Sequence, residues 1–95
     1  GVPSSFDLFQ NYPNPFNPST SIQFNVPKSS NVTLRIFNVL GREIRTLLDT
    51  DLSAGNYKIV WDGKDNQNQQ VASGVYFYQM KTSEFQKTRK MILLY

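Results

Sequence analysis

The stretch DGKDNQN, Asp62 to Asn68, is rich in oxygen donors. Calcium takes such oxygens from Asp, Asn and backbone carbonyls. An EF-hand loop would place Asp or Asn at its third position, Gly at its sixth and Glu at its twelfth. Counted from Asp62, those positions hold Lys64, Gln67 and Ser73, so the pattern fails. A looser cluster of Asp62, Asp65 and Asn66 is the one metal reading left. The plainer expectation is a solvated loop in which Asp62 and Asp65, beside Gly63, close turns by accepting from backbone N–H groups. No metal site is assigned.

The chain has no His and no Cys. The commonest transition-metal ligands and the usual nucleophilic triads are therefore absent. The acidic residues are few and scattered, so no catalytic residue, cofactor or enzymatic activity is assigned. Saccharide binding needs exposed aromatic platforms, and Tyr57, Trp61, Tyr76 and Tyr78 are the candidates. They alternate within strands, so one set has to fill the core. Trp61 is expected inside, while Tyr76 and Tyr78 compete with Val75 and Phe77 for the inward positions.

These residues sit on short strands. In STSIQFNV, Ile22, Phe24 and Val26 alternate with Gln23 and Asn25, the period of a half-buried strand. VTLRIF repeats the pattern through Val32, Leu34 and Ile36. Gly41 follows, where a tight turn needs positive φ. EIRTLL reads as a third strand and DTDLSAGN as a polar connection. YKIVWD, VYFYQM and KTRKMILLY complete the set. About six such strands, with turn signals between them and no helical period, predict an all-β, antiparallel, Ig-like sandwich of six to seven strands. An extended Pro-rich segment precedes it. Residues 1–11 are expected as a linker from an upstream domain, and residues 12–95 as the sandwich.

The 95 residues suffice for one small domain, and 14% aromatic content helps a core that must be efficient. No apolar run is long enough to span a membrane as a helix. The net charge of +3 is terminal: residues 1–80 hold six charges of each sign, and Lys81, Lys87, Arg89 and Lys90 face only Glu84 after them. A nucleic-acid binder would carry a basic stripe along one element, so nucleic acid is not an expected partner.

Two stretches fall outside this plain reading. YPNPFNPST holds three prolines within six residues, spacing that neither a helix nor a ladder strand tolerates. The residues before proline are held extended. With Phe9, Tyr12 and Phe16 as apolar anchors, the segment is expected to lie against the sandwich and cover one face or edge. The other stretch, Met91 to Leu94, is apolar at every position, so both its faces need cover.

Taken in order, YPNPFNPSTSIQF, VTLRIFNVLGREIRTL, AGNYKIVWDG, VASGVYFYQM and KTRKMILLY resemble a known family. It is the C-terminal sorting domain (type A) of cargo proteins of the type IX secretion system, related to the Ig-like domain of the flagellar hook-capping protein. The resemblance runs from Phe6 to Tyr95. It implies a seven-stranded sandwich at the end of a larger exported protein whose upstream part carries the catalytic or binding activity. It also implies recognition by the outer-membrane secretion machinery, passage through the periplasm to the cell surface or medium, removal by a surface peptidase and attachment to anionic lipopolysaccharide. Carried over by position, the motif residues are Pro13, Asn14, Pro15, Gly41, Gly55, Gly74 and the tail Lys90, Met91, Ile92, Leu93 and Leu94. Where the family carries a second loop Gly this chain has Asn68, and after the apolar run it has Tyr95 in place of Lys or Arg. A monomer is expected. The alternatives are a structural Ig-like spacer or docking module, and a carbohydrate-binding module.

Overall fold

Alternation of apolar and polar side chains produces the burial it predicts. In the computed structural model, which describes residues 1–95, the strand Thr20–Val26 buries Thr20, Ile22, Phe24 and Val26 and leaves Ser21, Gln23 and Asn25 outward. Seven strands form: β1 Asp7–Leu8, β2 Thr20–Val26, β3 Ser30–Phe37, β4 Glu43–Leu52, β5 Gly55–Trp61, β6 Gly74–Lys81 and β7 Gln86–Leu93. They make a three-stranded sheet in the order β1-β2-β5 and a four-stranded sheet in the order β4-β3-β6-β7. Every pairing is antiparallel. The result is an all-β, Ig-like sandwich.

Fourteen buried apolar side chains fill the space between the sheets. Ile22, Phe24, Val26 and Trp61 come from one side; Val32, Leu34, Ile36, Tyr78, Met80, Met91 and Leu93 come from the other. Trp61 is fully buried and meets Phe16 and Tyr76 ring to ring at 5.7 and 5.5 Å. Tyr76 and Tyr78 take the inward positions of β6 because their hydroxyls find acceptors, at Ala72 O (2.6 Å) and Phe9 O (2.7 Å). A buried phenol is tolerated when its O–H is bonded. Trp61, Tyr76 and Tyr78 are thus core residues, and Tyr57 stacks on Phe24 at 5.4 Å. Trp61 lies inside as expected, and the aromatic platform weighed as an alternative does not form from Trp61, Tyr76 and Tyr78.

Three expectations are corrected. The strand EIRTLL continues through DTDL, because β3 starts at Ser30 and its ladder carries on to Leu52. Register shifts beside Leu34 and Ile36 bulge β4. A bulge breaks strict alternation, which lets Leu47 and Leu48 both pack on the core. The boundary expected after residue 11 falls inside the sandwich: Leu8 and Asn11 are buried, and Phe6 stacks on Phe85 at 5.5 Å. A two-residue strand is too short to show alternation in sequence. Of the three expected aromatic anchors, only Phe16 is buried; Phe9 and Tyr12 are exposed, and Leu8 fills the core instead.

The turn chemistry follows expectation. Gly41 has φ +81° in a hairpin where Asn38 Oδ1 accepts from the N–H groups of Leu40 and Arg42. Asn68 takes φ 64°, the left-handed conformation that Asn tolerates.

Candidate functional site

The strand β7 lies at the edge of its sheet, paired on one side only with β6. An edge strand leaves a row of N–H and C=O groups unpaired. Here the N-terminal segment runs alongside and takes them up. Gln10 Nε2 donates to Lys90 O (2.8 Å), and the Ile92 N–H donates to Asn14 Oδ1 (2.9 Å). The Phe16 N–H donates to Ile92 O and the Leu94 N–H to Phe16 O, both at 3.0 Å, forming a parallel bridge between Phe16 and Leu93. Further back, Arg89 Nε donates to Leu8 O at 2.6 Å, and Lys87 Nζ lies 3.3 Å from Asp7. Because β1 also pairs with β2, the segment joins the two sheets along one flank.

The composition of the segment suits this role. Pro13, Pro15 and Pro18 have no N–H to leave unsatisfied; the peptide bonds preceding all three are cis. Two of the N–H groups that remain tie the segment down: that of Tyr12 exchanges bonds with Ser21 at 2.9 Å, and that of Phe16 reaches β7. Phe16 is 2% exposed, seated against Trp61. Gly63 (φ +77°) backs onto the segment, where a Cβ would meet Pro18 O at 3.0 Å.

A buried polar node holds the segment at its start. Asn11 is 3% exposed; its N–H donates to the Tyr78 hydroxyl at 2.8 Å and its Nδ2 to Thr20 Oγ1 at 2.9 Å. The Thr20 hydroxyl donates to Pro13 O (2.8 Å), the Tyr78 hydroxyl to Phe9 O, and Gln10 Nε2 to Asn11 Oδ1 (2.7 Å). No buried side-chain polar atom in the protein lacks a partner. Burial pushes the Tyr78 phenol up to about 12, against the Asn11 hydrogen bond and the Arg89 charge, which pull it down. Burial also raises Tyr76, with Tyr95 adding to the effect.

The motif residues separate into two groups. Asn14, between Pro13 and Pro15, accepts from the Ile92 N–H of the tail, and Gly74 pairs with Leu93, so these share one region. Beyond β7, the Tyr95 N–H donates to Ser73 Oγ (3.0 Å) and its hydroxyl to Val71 O (2.8 Å), tying the tail to the loop before Gly74. Gly55 pairs with Val26 at the end of β5 remote from Trp61, and Gly41 caps the β3–β4 hairpin, two strands from β7. Within the tail, Met91 and Leu93 are core, Ile92 is half-buried, and Lys90 and Leu94 are exposed. Sequence reasoning missed Asn11, Thr20 and Gly63. Thr20 was legible, since it shares the parity of Ile22 and Phe24 and so points inward, where a hydroxyl needs a partner.

The oxygens weighed for calcium serve the loop. Asp62 Oδ1 accepts from the Lys64 N–H (3.1 Å), and Asp65 Oδ1 accepts from those of Gln67 and Gln69 (2.9 Å each). Asn66 Oδ1 accepts from the Thr46 N–H (3.0 Å). They close turns and bind the loop to β4.

Against known proteins, residues 16–85 match the FlgD Ig-like domain family. PorU from Porphyromonas gingivalis, crystallised as a latent dimer, superposes at a TM-score of 0.76 with 21% identity, over 94% of this chain and 9% of PorU. PorZ from the same organism gives 0.60 with 19% identity, over 97% of this chain and 12% of PorZ. FlgD from P. aeruginosa gives 0.60 with 26% identity, over 78% of this chain and 57% of FlgD. The chain therefore spans less than two thirds of each of these proteins. No curated protein matches by sequence.

Proposed function

The chain belongs to the FlgD Ig-like domain family, and from that premise we propose that it is a non-catalytic sorting module of an exported protein. It directs an upstream cargo through the periplasm and across the outer membrane by the type IX secretion system. The observation that carries this reading is the clasped β7 edge. The proline motif and the terminal basic-apolar tail, distant in sequence, form one ordered element through Asn14, Phe16 and Ile92. Its Lys90 and Leu94 side chains stay exposed for a receptor. A positive terminus steers encounter, and an ordered apolar strand end offers a docking surface. The fold likeness to PorZ, described as an essential surface component of the type IX system, is in keeping with this reading. The partners are then the outer-membrane machinery and a surface peptidase, with the module itself a monomer.

The experiment uses full-length cargo. Lys90→Glu with Leu94→Asp alters the exposed tail and leaves Met91 and Leu93 in the core. The expected outcome is cargo retained in the periplasm, with the domain as protease-resistant as the parent. Surface delivery at the parental level would remove the tail from the signal. A purely structural spacer, the role that the FlgD likeness favours, predicts undiminished export even when residues 1–95 are deleted.

A further inference from the structure

We propose that the outer face of the three-stranded sheet is a saccharide-binding site for a chain of carboxylated pyranose units. The observation is a trough that the sandwich does not use. On the outward side of β2 and β5, Asn25 stands opposite Asn56, and Gln23 opposite Lys58. The N-terminal segment runs beside them, with the Phe9 N–H bonded to Gln23 O at 3.0 Å and Tyr12 paired with Ser21. Two shallow depressions result, of about 350 and 260 Å³. Phe9 lines the first and Tyr12 the second, and Gln23 and Lys58 line both, so the two adjoin.

The aromatic rings are placed as platforms. Tyr12 is 80% exposed, yet its backbone is bonded to Ser21 in both directions and Pro13 follows it. The core gains nothing from this ring, which is nonetheless attached to a fixed backbone. Phe9 is exposed three residues earlier, beside Gln23 as Tyr12 is beside Ser21, so the two positions lie two β2 residues apart, roughly 7 Å along the strand. Both rings flank the same trough, where the apolar C–H faces of pyranose units can stack on aromatic side chains. The amides of Gln23, Asn25 and Asn56 each offer a donor and an acceptor, the pairing that vicinal hydroxyls need. None of these three side chains forms a hydrogen bond within the protein, and Lys58 takes no part in its ion pairs. No carboxylate lines either depression. A lone ammonium among amides selects a sugar acid over a neutral sugar. This site lies on the opposite sheet from the β7 tail and does not depend on the sorting reading.

Affinity electrophoresis in gels containing alginate, with a soluble neutral β-glucan gel beside it, tests the proposal. Alginate is expected to retard the 95-residue protein, and the glucan is not. Tyr12→Ala and Lys58→Gln should each weaken apparent affinity for alginate about tenfold or more, a change of 1.4 kcal/mol or more. Lys90→Gln removes the same unit of charge from the other sheet and should bind as the parent does. Circular dichroism melts confirm that the variants are folded. The site is overturned if alginate does not retard the parent, if the glucan retards it equally, or if Tyr12→Ala binds normally. Equal loss in Lys90→Gln also overturns it, because attraction to the net charge of +3 then suffices.

Discussion

The sandwich has two flanks, and each is covered by an irregular segment in a different way. Along β7 the cover is residues 7–16; along β4 it is the loop after Trp61. Both use an asparagine in the same manner: Asn14 Oδ1 accepts from the Ile92 N–H at 2.9 Å, and Asn66 Oδ1 from the Thr46 N–H at 3.0 Å. Each cover also bonds through its own backbone, Phe16 to Ile92 O at 3.0 Å and Asn66 to Ile44 O at 3.1 Å. The difference lies behind the bonds. The proline segment sends Leu8 and Phe16 into the core and places Asn11 in a buried node, whereas Asp65 to Gln70 put no apolar side chain into the core. Hydrogen bonds to an edge satisfy that edge locally. Side chains in the core make the cover part of the cooperative fold.

The comparison breaks most decisively at Phe16. Phe16→Ala is expected to cost about 3–5 kcal/mol, through lost burial and the cavity left beside Trp61. That is a large part of the stability of a small domain. The check is urea unfolding followed by Trp61 fluorescence, since the ring that moves is in contact with the reporter at 5.7 Å between centroids. A loss below 1 kcal/mol would make the proline segment as peripheral as the opposite loop.

The buried node gives a second test, through pH. Tyr78 is held neutral, with its phenol pushed up to about 12 by burial, from an ordinary value of 10.0. The folded state therefore binds this proton more tightly than the unfolded chain does. Its contribution is complete below pH 10 and is lost as pH rises through about 12. Stability measured at pH 9 and above pH 11 should fall, and the fall should be smaller in Tyr78→Phe, which has no proton to lose there. An equal fall in both proteins would place the alkaline sensitivity elsewhere.

How far the sequence could be read differs between the same two flanks. Strict alternation in Ile22–Val26 and Val32–Ile36 was enough to place the core strands and predict the sandwich. The prolines marked Tyr12 to Thr20 as an ordered, donor-poor cover. Alternation could not show that this cover starts five residues earlier, because β1 has only two residues. It could not rank Phe16 above Tyr12 either, since both are aromatic residues in an irregular stretch and burial there follows from long-range docking. Pairing Asn14 with Ile92 is likewise a contact across 78 residues, with no local sequence mark. The opposite loop was more legible, because Asp62 and Asp65 bond to N–H groups within four residues of themselves. Local chemistry is written in local sequence; the clasp on β7 is not.

The smallest expected effects sharpen the comparison most finely. Asn14→Ala and Asn66→Ala each remove one acceptor from one exposed edge N–H, which water then satisfies. Each should cost about 0.5–1.5 kcal/mol in overall stability, so equilibrium unfolding will not separate them. Amide hydrogen exchange will. The Ile92 N–H adjoins the first of two backbone bonds made by Phe16, to Ile92 O and from the Leu94 N–H, and Phe16 cannot leave without opening the core. Its exchange in Asn14→Ala should still require an opening that unseats Phe16, and quicken only a fewfold. The Thr46 N–H has the exposed loop alone above it, so its exchange in Asn66→Ala should approach that of a free edge. If Ile92 exchanges as freely as Thr46 in the paired variants, the asparagine and not Phe16 holds the cover in place, and the two flanks are held by the same device after all.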